Sequence, residues 1–326
     1  MKVLVTGGAG YIGAHVVRAL AEAGHAPLIL DDLRRAHERQ AGSFPLERVA
    51  VEDVPALLRV FEKHRPDGVV HLAGYISVAE SVARPELYWQ NNLGAAAALL
   101  IACARWPVQA FLFSSTAAVY GDTQLSPIPE EAPLAPTSPY GASKLAFERL
   151  LHDTARALGF RSAALRYFNA SGAHPEWRVG EEHEPEEHLI PRVVSALLDG
   201  QPVQVNGRDY PTPDGSCVRD FIHVTDLARA HVRVLEAAEI PSGLSFNCGT
   251  GRGHSVLQVI EAVGRALDVT PKLEFRPRRP GDPASLVADP AALRRRVAWE
   301  PSHSDLGEIV AAAIAWERVR RARGQA

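Results

Sequence analysis

Lysine is scarce in this chain. Only Lys2, Lys63, Lys144 and Lys272 occur, so arginine carries most of the positive charge. Cysteine is scarcer still. Cys103, Cys217 and Cys248 are odd in number and widely spaced, and no CxxC occurs, which fits a reducing cytoplasm and thiols used as small hydrophobes. No basic excess exists: the formal net charge is −3, which argues against electrostatic binding to nucleic acid or an anionic membrane. No apolar run approaches the roughly 20 residues of a membrane span. The N-terminus enters "KVLVTGG" without a charged leader and cleavage site, so a cytoplasmic location is expected. Internal repeats and low-complexity segments are also missing.

What is present is a large apolar fraction, 46% of 326 residues, enough to bury a sizeable core in two modest domains or one large one. The first half alternates short β-rich runs with helical patterns. The strands expected are 2–6, 26–30, 67–73, 110–115 and 162–168, with helices near 11–23, 53–64, 86–104 and 140–158. Such alternation implies βαβ units, a parallel sheet and right-handed crossovers. The second half is less regular. Segments 173–191 and 207–220 are long, polar and rich in Pro and Gly, as in binding loops or lids. A further helix is expected at 224–238, and the tail after 305 reads as helical.

Directly after the first strand, "TGGAGYIG" places Gly7, Gly10 and Gly13 in a GxxGxxG spacing. Glycine permits a tight turn and lets backbone N–H groups approach a pyrophosphate, while the following helix points its positive end at the same phosphates. The next strand ends in "LILDD" and puts Asp31 where a carboxylate can accept from adenosine ribose hydroxyls. Such a carboxylate repels a 2′-phosphate, which favours NAD over NADP. Arg34 and Arg35 lie nearby and bear on that preference.

"SPYGASK" (138–144) sets Tyr140 four residues before Lys144, on one face of a helix. Together they present a phenol and an ammonium to one ligand. Lowering a phenol by three units toward neutrality corresponds to about 4 kcal/mol in favour of the phenolate, which a buried ammonium and a nicotinamide charge can supply. "FLFSSTAAVYG" brings Ser114, Ser115 and Thr116 to the carboxyl end of the fourth strand, the end where open α/β sheets bind ligands. A hydroxyl there can share a proton with the tyrosine and a sugar oxygen.

With these residues in order, the chain resembles the extended short-chain dehydrogenase/reductases and, within them, the UDP-sugar 4-epimerases. The resemblance rests on "VTGGAGYIGAHVVRAL", "HLAG", "NNLGA", "FSSTAAVYGD", "SPYGASK", "LRYFNASGAHP", "DYPTPDGSCVRDFIHVTDLARAH", "FNCGTGRGHSV" and "RPRRPGDPASLVAD", and so covers nearly the whole chain. It implies a Rossmann-type doubly wound α/β fold with a smaller α/β substrate domain. Residues 1–168 would bind NAD, with 220–248 returning to that domain; 169–219 and 249–326 would bind the UDP-sugar. The implied reaction inverts C4 of UDP-galactose and UDP-glucose reversibly. Tyr140 takes the 4-hydroxyl proton, hydride passes to tightly held NAD, the 4-keto sugar rotates about its link to the phosphate, and hydride returns to the other face. Thr116 stands at the family's serine or threonine position. Because the sugar must turn, affinity must come mainly from UDP.

Carried over by position, the cofactor contacts are Tyr11, Ile12, Asp31, Asp32, Leu33, Asp53, Val54, Leu72, Ala73, Gly74, Asn91, Thr116, Tyr140, Lys144 and Phe168, besides the three loop glycines. The substrate contacts are Thr116, Tyr140, Asn169, His188, Leu189, Gln204, Val205, Asn206, Arg219, Arg279 and Asp282. Arg219 and Arg279 suit a diphosphate through bidentate contacts, and Asp282 a ribose hydroxyl. The chain departs from the family at three places. Ile76 replaces a lysine found near the cofactor in some members. His188 replaces an asparagine. Leu286 stands where members carry a tyrosine or a small residue, the latter admitting N-acetylated sugars; glucuronate, pentose and N-acetyl sugars therefore stay open as substrates.

Two other classes fit less well. Related dehydratases follow the strand-end threonine with Asp-Glu, but Ala117 and Ala118 follow Thr116 and cannot do acid–base work. A non-catalytic NAD sensor would not need the Tyr/Lys pair. The acidic run "GEEHEPEEH" (180–188) reads as a solvated lid, with no metal expected, and His71 and His223 read as core residues. The resemblance implies a homodimer through the small apolar faces near 86–104 and 140–158.

Overall fold

The computed structural model describes residues 1–239, 241–279 and 282–324. Pro280 and Gly281 of the "RPRRPGDP" stretch, Ile240 of the returning segment and the last two residues lie outside the described residues. Six strands come first: β1 (Lys2–Thr6), β2 (Ala26–Leu30), β3 (Leu46–Glu47), β4 (Gly68–His71), β5 (Ala110–Thr116) and β6 (Arg161–Tyr167). Beyond them follow β7 (Asn169–Ser171), β8 (Val203–Asn206), β9 (Val218–His223), β10 (Leu244–Cys248), β11 (Gly253–Ser255), β12 (Leu273–Arg276) and β13 (Ser285–Leu286).

The main sheet has the order β10-β6-β5-β4-β1-β2-β3, and every pairing in it is parallel. This is a doubly wound sheet, with one strand added at its far edge by the returning chain. The central strands are buried on both faces: β4 and β5 are buried throughout, which is why they read as continuous apolar runs and not as alternations. One core packs β1, β6, β10 and the helix Val224–Glu236 together through Val5, Leu165, Phe246 and Leu227. A second fills the opposite face with Leu4, Phe61, Leu99, Phe111 and Phe147. A third core, built from Ile190, Val194, Val205, Phe221, Val259 and Ile314, belongs to the second half of the chain.

The strand β9 does not join the main sheet. It pairs with β7, β11 and β13. Its residues divide between cores: Phe221 packs in the third, whereas Ile222 packs in the first with Leu227 and Phe246. The pair β8–β12 is a separate parallel ribbon.

The helix expected over 86–104 is not one element. It is preceded by Val78–Ala83, capped by Ser77, and restarts at Pro85, after which the backbone passes through a π-helical stretch, Trp89–Ala95, before the α-helix Ala96–Arg105. Proline at a first helical position and π-turns beside a site are both familiar breaks. The expected helix at 140–158 runs Pro139–Leu158, with the Ser138 hydroxyl accepting from Gly141 N at 3.2 Å and Gly159 closing it in the left-handed conformation.

Candidate active site

The glycine loop leaves β1 at Gly7, which has φ +68°. A Cβ there would lie 2.7 Å from the backbone nitrogen of Ala73, and one at Gly13 would strike the carbonyl of Gly7. Both positions thus require the absence of a side chain. The helix Tyr11–Glu22 opens at Gly10 with no side-chain cap, so its first N–H groups have no side-chain partner. Asp31, buried at the end of β2, accepts from Ala9 N at 3.0 Å and Leu33 N at 2.9 Å. It thereby fixes the loop against the next strand, with Leu33 held at φ +61°. Burial raises its carboxyl above the usual range, while those two backbone bonds oppose the rise. An uncapped helix end, a cradle that a Cβ would fill and a carboxylate at the second strand together fit a dinucleotide.

The two neighbouring arginines are both engaged. Arg34 binds Asp32, Nε to Oδ2 at 2.6 Å, and also Glu52. Arg35 pairs with Glu80 at 3.1 Å and lies 4.1 Å over the Tyr75 ring. Both cations are therefore already neutralised by carboxylates, which keeps the preference for NAD over NADP. Asp53 caps the helix Val54–His64 by accepting from Ala56 N at 3.0 Å.

Leu72, Ala73 and Gly74 leave β4 beside the loop, Leu72 N and Ala73 N donating to the Thr6 carbonyl and hydroxyl. A Cβ on Gly74 would stand 3.1 Å from Asn92 Oδ1 and 3.5 Å from Lys144 Nζ, so this turn touches the helix Pro139–Leu158. The buried asparagine here is Asn92. Its amide bonds both Tyr75 N and Tyr75 O, at 2.8 and 3.0 Å, and reaches Ser143 at 3.4 Å. The sequence reading named only Asn91; the doubled "NN" was the available signal for its neighbour.

Tyr140 and Lys144 lie in the first two turns of the helix Pro139–Leu158, against the end of β5. Lys144 is 3% exposed, and its ammonium donates to Ser114 O at 2.9 Å and lies 5.0 Å from the Phe113 ring centroid. Burial pulls it down to about 8, against the attraction of Glu148 one turn on, so it remains a cation at neutral pH. Burial pushes the Tyr140 phenol up, and the Thr116 hydroxyl, in hydrogen-bonding reach, draws it back. Thr116 accepts from Ala118 N at 3.1 Å, which fixes its rotamer and brings Ala117 and Ala118 into the following turn.

Behind this pair lies a group the sequence reading missed. Glu148 forms a buried ion pair with Arg166 at 2.8 Å and accepts from Ser115. Arg166 continues to the Tyr120 hydroxyl at 2.9 Å, and Tyr120 to Asn247 at 2.7 Å. The network ties the helix, β6 and β10 together.

Several of the remaining expected substrate contacts lie on the small sheets. Asn169 opens β7, opposite Phe221, and Phe168 and Leu286 both pack against a small core of Val119, Tyr120, Ile128, Ala132 and Leu145. Arg219 pairs with Asp282 and donates to Val218 O at 2.8 Å, so two expected contacts meet. Arg279 is exposed on the same segment. On β8, Gln204 and Asn206 share one face, whereas the Val205 side chain is fully buried in the third core; only its backbone is left for a ligand. His188 precedes the helix Leu189–Leu198, and Leu189 packs partly into that core. Leu286 faces Arg219 across the β13–β9 pairing.

His71 and His223 are buried, as expected, at about 3 and about 4 because burial disfavours their charge. The run 180–188, expected as a solvated lid, is exposed at Glu184, Pro185 and Glu187 but buried at its start. Glu181 is buried, the Glu182 side chain is 4% exposed and pairs with Arg39, and Gly180 is clamped by both amide atoms of Gln40. Contacts with distant residues hold the loop down, and local polarity gives no sign of them.

The family model described as NAD dependent epimerase/dehydratase matches residues 3–249. A UDP-glucose 4-epimerase of Azospirillum brasilense is 46% identical over 100% of this chain and 94% of its own length. The crystal structure of UDP-glucose 4-epimerase from Brucella ovis in complex with NAD is 42% identical, covers 96% of this chain and 97% of its own, and superposes with a TM-score of 0.92. The UDP-Glc/GlcNAc 4-epimerase of Campylobacter jejuni is 37% identical over 97% and 99%, with a TM-score of 0.84. A loop that only glycine can form, a helix carrying Tyr140 and a buried Lys144, and a doubly wound sheet are thus found with full-length likeness, and the chain belongs to the NAD dependent epimerase/dehydratase family.

Proposed function

We propose that this protein inverts C4 of UDP-galactose and UDP-glucose, using NAD held in the glycine cradle. The observation that carries the reading is the meeting of Tyr140, Thr116 and Lys144 at the carboxyl end of β5, next to Gly74 and the glycine loop. Gly7, Gly10, Gly13 and Asp31 would hold the dinucleotide, with Leu72, Ala73 and Gly74 closing over it. Bound there, NAD supplies a hydride acceptor for C4 and a positive charge near the phenol.

The chain's own residues handle the proton. Tyr140 removes it from the sugar 4-hydroxyl and gives it back, with the Thr116 hydroxyl bridging phenol and sugar. Lys144, charged at neutral pH, keeps the surroundings of the phenol positive. Ala117 and Ala118 offer no further acid or base, so elimination has no catalyst and the proton returns to the oxygen it left. Arg219 and Arg279 anchor the diphosphate, and Asp282, held by Arg219, orients the ribose.

The test is turnover without added NAD: purified protein given UDP-galactose should form UDP-glucose, read by coupling to UDP-glucose dehydrogenase. No product from protein with NAD confirmed bound would refute the substrate. Leu286 gives a second reading some weight, because it is smaller than tyrosine and borders the Phe168 cluster; a panel of UDP-sugars followed by NMR separates N-acetyl, uronic and pentose substrates.

The same reading makes the protein a cytoplasmic homodimer. The helices Ala96–Arg105 and Pro139–Leu158 pack on each other and still leave Ile101 57%, Trp89 41% and Leu150 37% exposed, an apolar surface suited to a second copy. All three thiols are buried and unpaired, which suits a reducing compartment, and among the described residues no helix is long and apolar enough to cross a membrane. A monomer mass in sedimentation would remove the dimer.

A further inference from the structure

We propose that Glu181, His183, Glu186 and His188 form a binding site for one divalent transition-metal ion, zinc in the first place. The four side chains bring one donor atom each to within 4.8 Å of all the others. The nitrogen–oxygen separations run around a closed figure. His183 Nδ1 lies 3.2 Å from Glu181 Oε1 and 3.7 Å from Glu186 Oε2, and His188 Nδ1 lies 2.5 Å and 3.2 Å from Glu181 Oε1 and Glu186 Oε1. A tetrahedral ion with bonds of about 2.0–2.1 Å sets neighbouring donors about 3.3 Å apart, so the cluster has the size of a coordination sphere before any ion enters.

A second observation points the same way. The His188 ring keeps 43% of its surface exposed, yet its Nδ1 is buried and makes no hydrogen bond, although two carboxylates lie next to it. A nitrogen buried beside two carboxylates without a hydrogen bond to either is placed to accept an ion.

The donor chemistry selects the class. Two imidazoles and two carboxylates suit zinc and its first-row neighbours, whereas magnesium and calcium prefer oxygen alone. Two carboxylates and two neutral imidazoles balance a divalent charge, which matters because Glu181 is buried.

Four protein donors leave no open position, the mark of a structural site. The ion would fasten the loop at a crossroads. Glu181 O accepts from Trp316 Nε1 at 2.9 Å, the Tyr11 ring meets the His183 ring edge-on at 6.5 Å, and His188 opens the helix Leu189–Leu198. The glycine-loop helix, the C-terminal helix Leu306–Gly324 and the substrate-side helix would be cross-linked through one ion.

The test reads metal and not turnover, so it stands apart from the substrate assignment. Full-length protein with its NAD is stripped with a chelator, then titrated with zinc chloride by calorimetry, and melting is followed. We expect one zinc per chain, a rise in melting temperature, and tetrahedral visible bands when cobalt(II) replaces zinc. His183→Ala and Glu186→Gln should each weaken zinc by about 100-fold or more and abolish the melting shift. Glu186→Gln keeps the side-chain shape, so it decides the matter if His183→Ala fails to fold. Absence of stoichiometric zinc, unchanged affinity in the folded variants, or magnesium binding as tight as zinc would overturn the proposal and leave an ion-pair cluster.

Discussion

The ammonium of Lys144 donates to the carbonyl oxygen of Ser114 at 2.9 Å, and this bond sets the distance between the catalytic helix and the end of β5. It holds a charged group at the phenol's side of the site while the Ser114 carbonyl absorbs part of its field. Burial lowers the Lys144 ammonium to about 8 while Glu148 opposes the fall.

Tyr140→Phe should keep the fold and bound NAD but lose about 100- to 10,000-fold in kcat. The phenyl ring retains its edge contact with Tyr88, and only the proton carrier is lost. Nucleotide released on denaturation, measured beside turnover, checks this; wild-type turnover would remove Tyr140 from the role of base.

Gly13→Ala should cost about 1–3 kcal/mol of stability and empty the protein of NAD. The added methyl strikes the Gly7 carbonyl, and relief requires the helix to draw back from the loop that must hold the phosphates. Urea unfolding and NAD content after purification should fall together. Full NAD content would show that the loop tolerates the extra atom.

Leu286→Ser should raise kcat/KM for UDP-N-acetylgalactosamine about 10-fold or more relative to UDP-galactose, and Leu286→Tyr should lower it. Leu286 packs against the same small core as Phe168 and stands opposite Arg219, and its size is expected to set the room at the sugar end of the anchored nucleotide. Equal ratios in all three proteins would place the selectivity elsewhere.

Acid should destabilise the fold well before its carboxylates titrate. Burial holds His15 and His71 at about 3, and His223 and His231 at about 4, against 6.5 in the unfolded chain. Between pH 6.5 and 4 the unfolded state binds protons that the folded state refuses. Stability is therefore fully present above pH 6.5 and lost as pH falls, at up to about 1.4 kcal/mol per pH unit for each histidine. Urea midpoints at pH 7, 6 and 5 should drop steeply; a flat series would show that these rings ionise within the fold.

Much of this architecture is legible in the sequence because it is local. Strands 2–6 and 26–30 are found as expected, since short β-rich runs bounded by glycine and charge leave little choice. The two-residue β3 has no such pattern and went unseen. The break at Arg84–Pro85 is signalled by proline, but the π-turns that follow are not. The Gly7–Gly13 loop, Tyr140 and Lys144 are legible because each depends on neighbours a few residues away. Asn92, Glu148 and the Glu181–His188 cluster are not. Glu148 acquires its meaning from Arg166 and Ser115, and Glu181 is sealed by Trp316 and the Gln40 clamp, partners separated by tens of residues or more.

The edge strand β10 belongs to the first sheet, yet the chain reaches it only after building β7 and β9 of the second. Leu227, Ala228 and Phe246 fill the same core as Val3 and Val5. During synthesis, the N-terminal half therefore waits with β6 as a raw edge and a gap beneath it until residue 248 has cleared the ribosome. A genetic split after residue 168 should yield two insoluble pieces, because it parts Leu227, Ala228 and Phe246 from the core they complete.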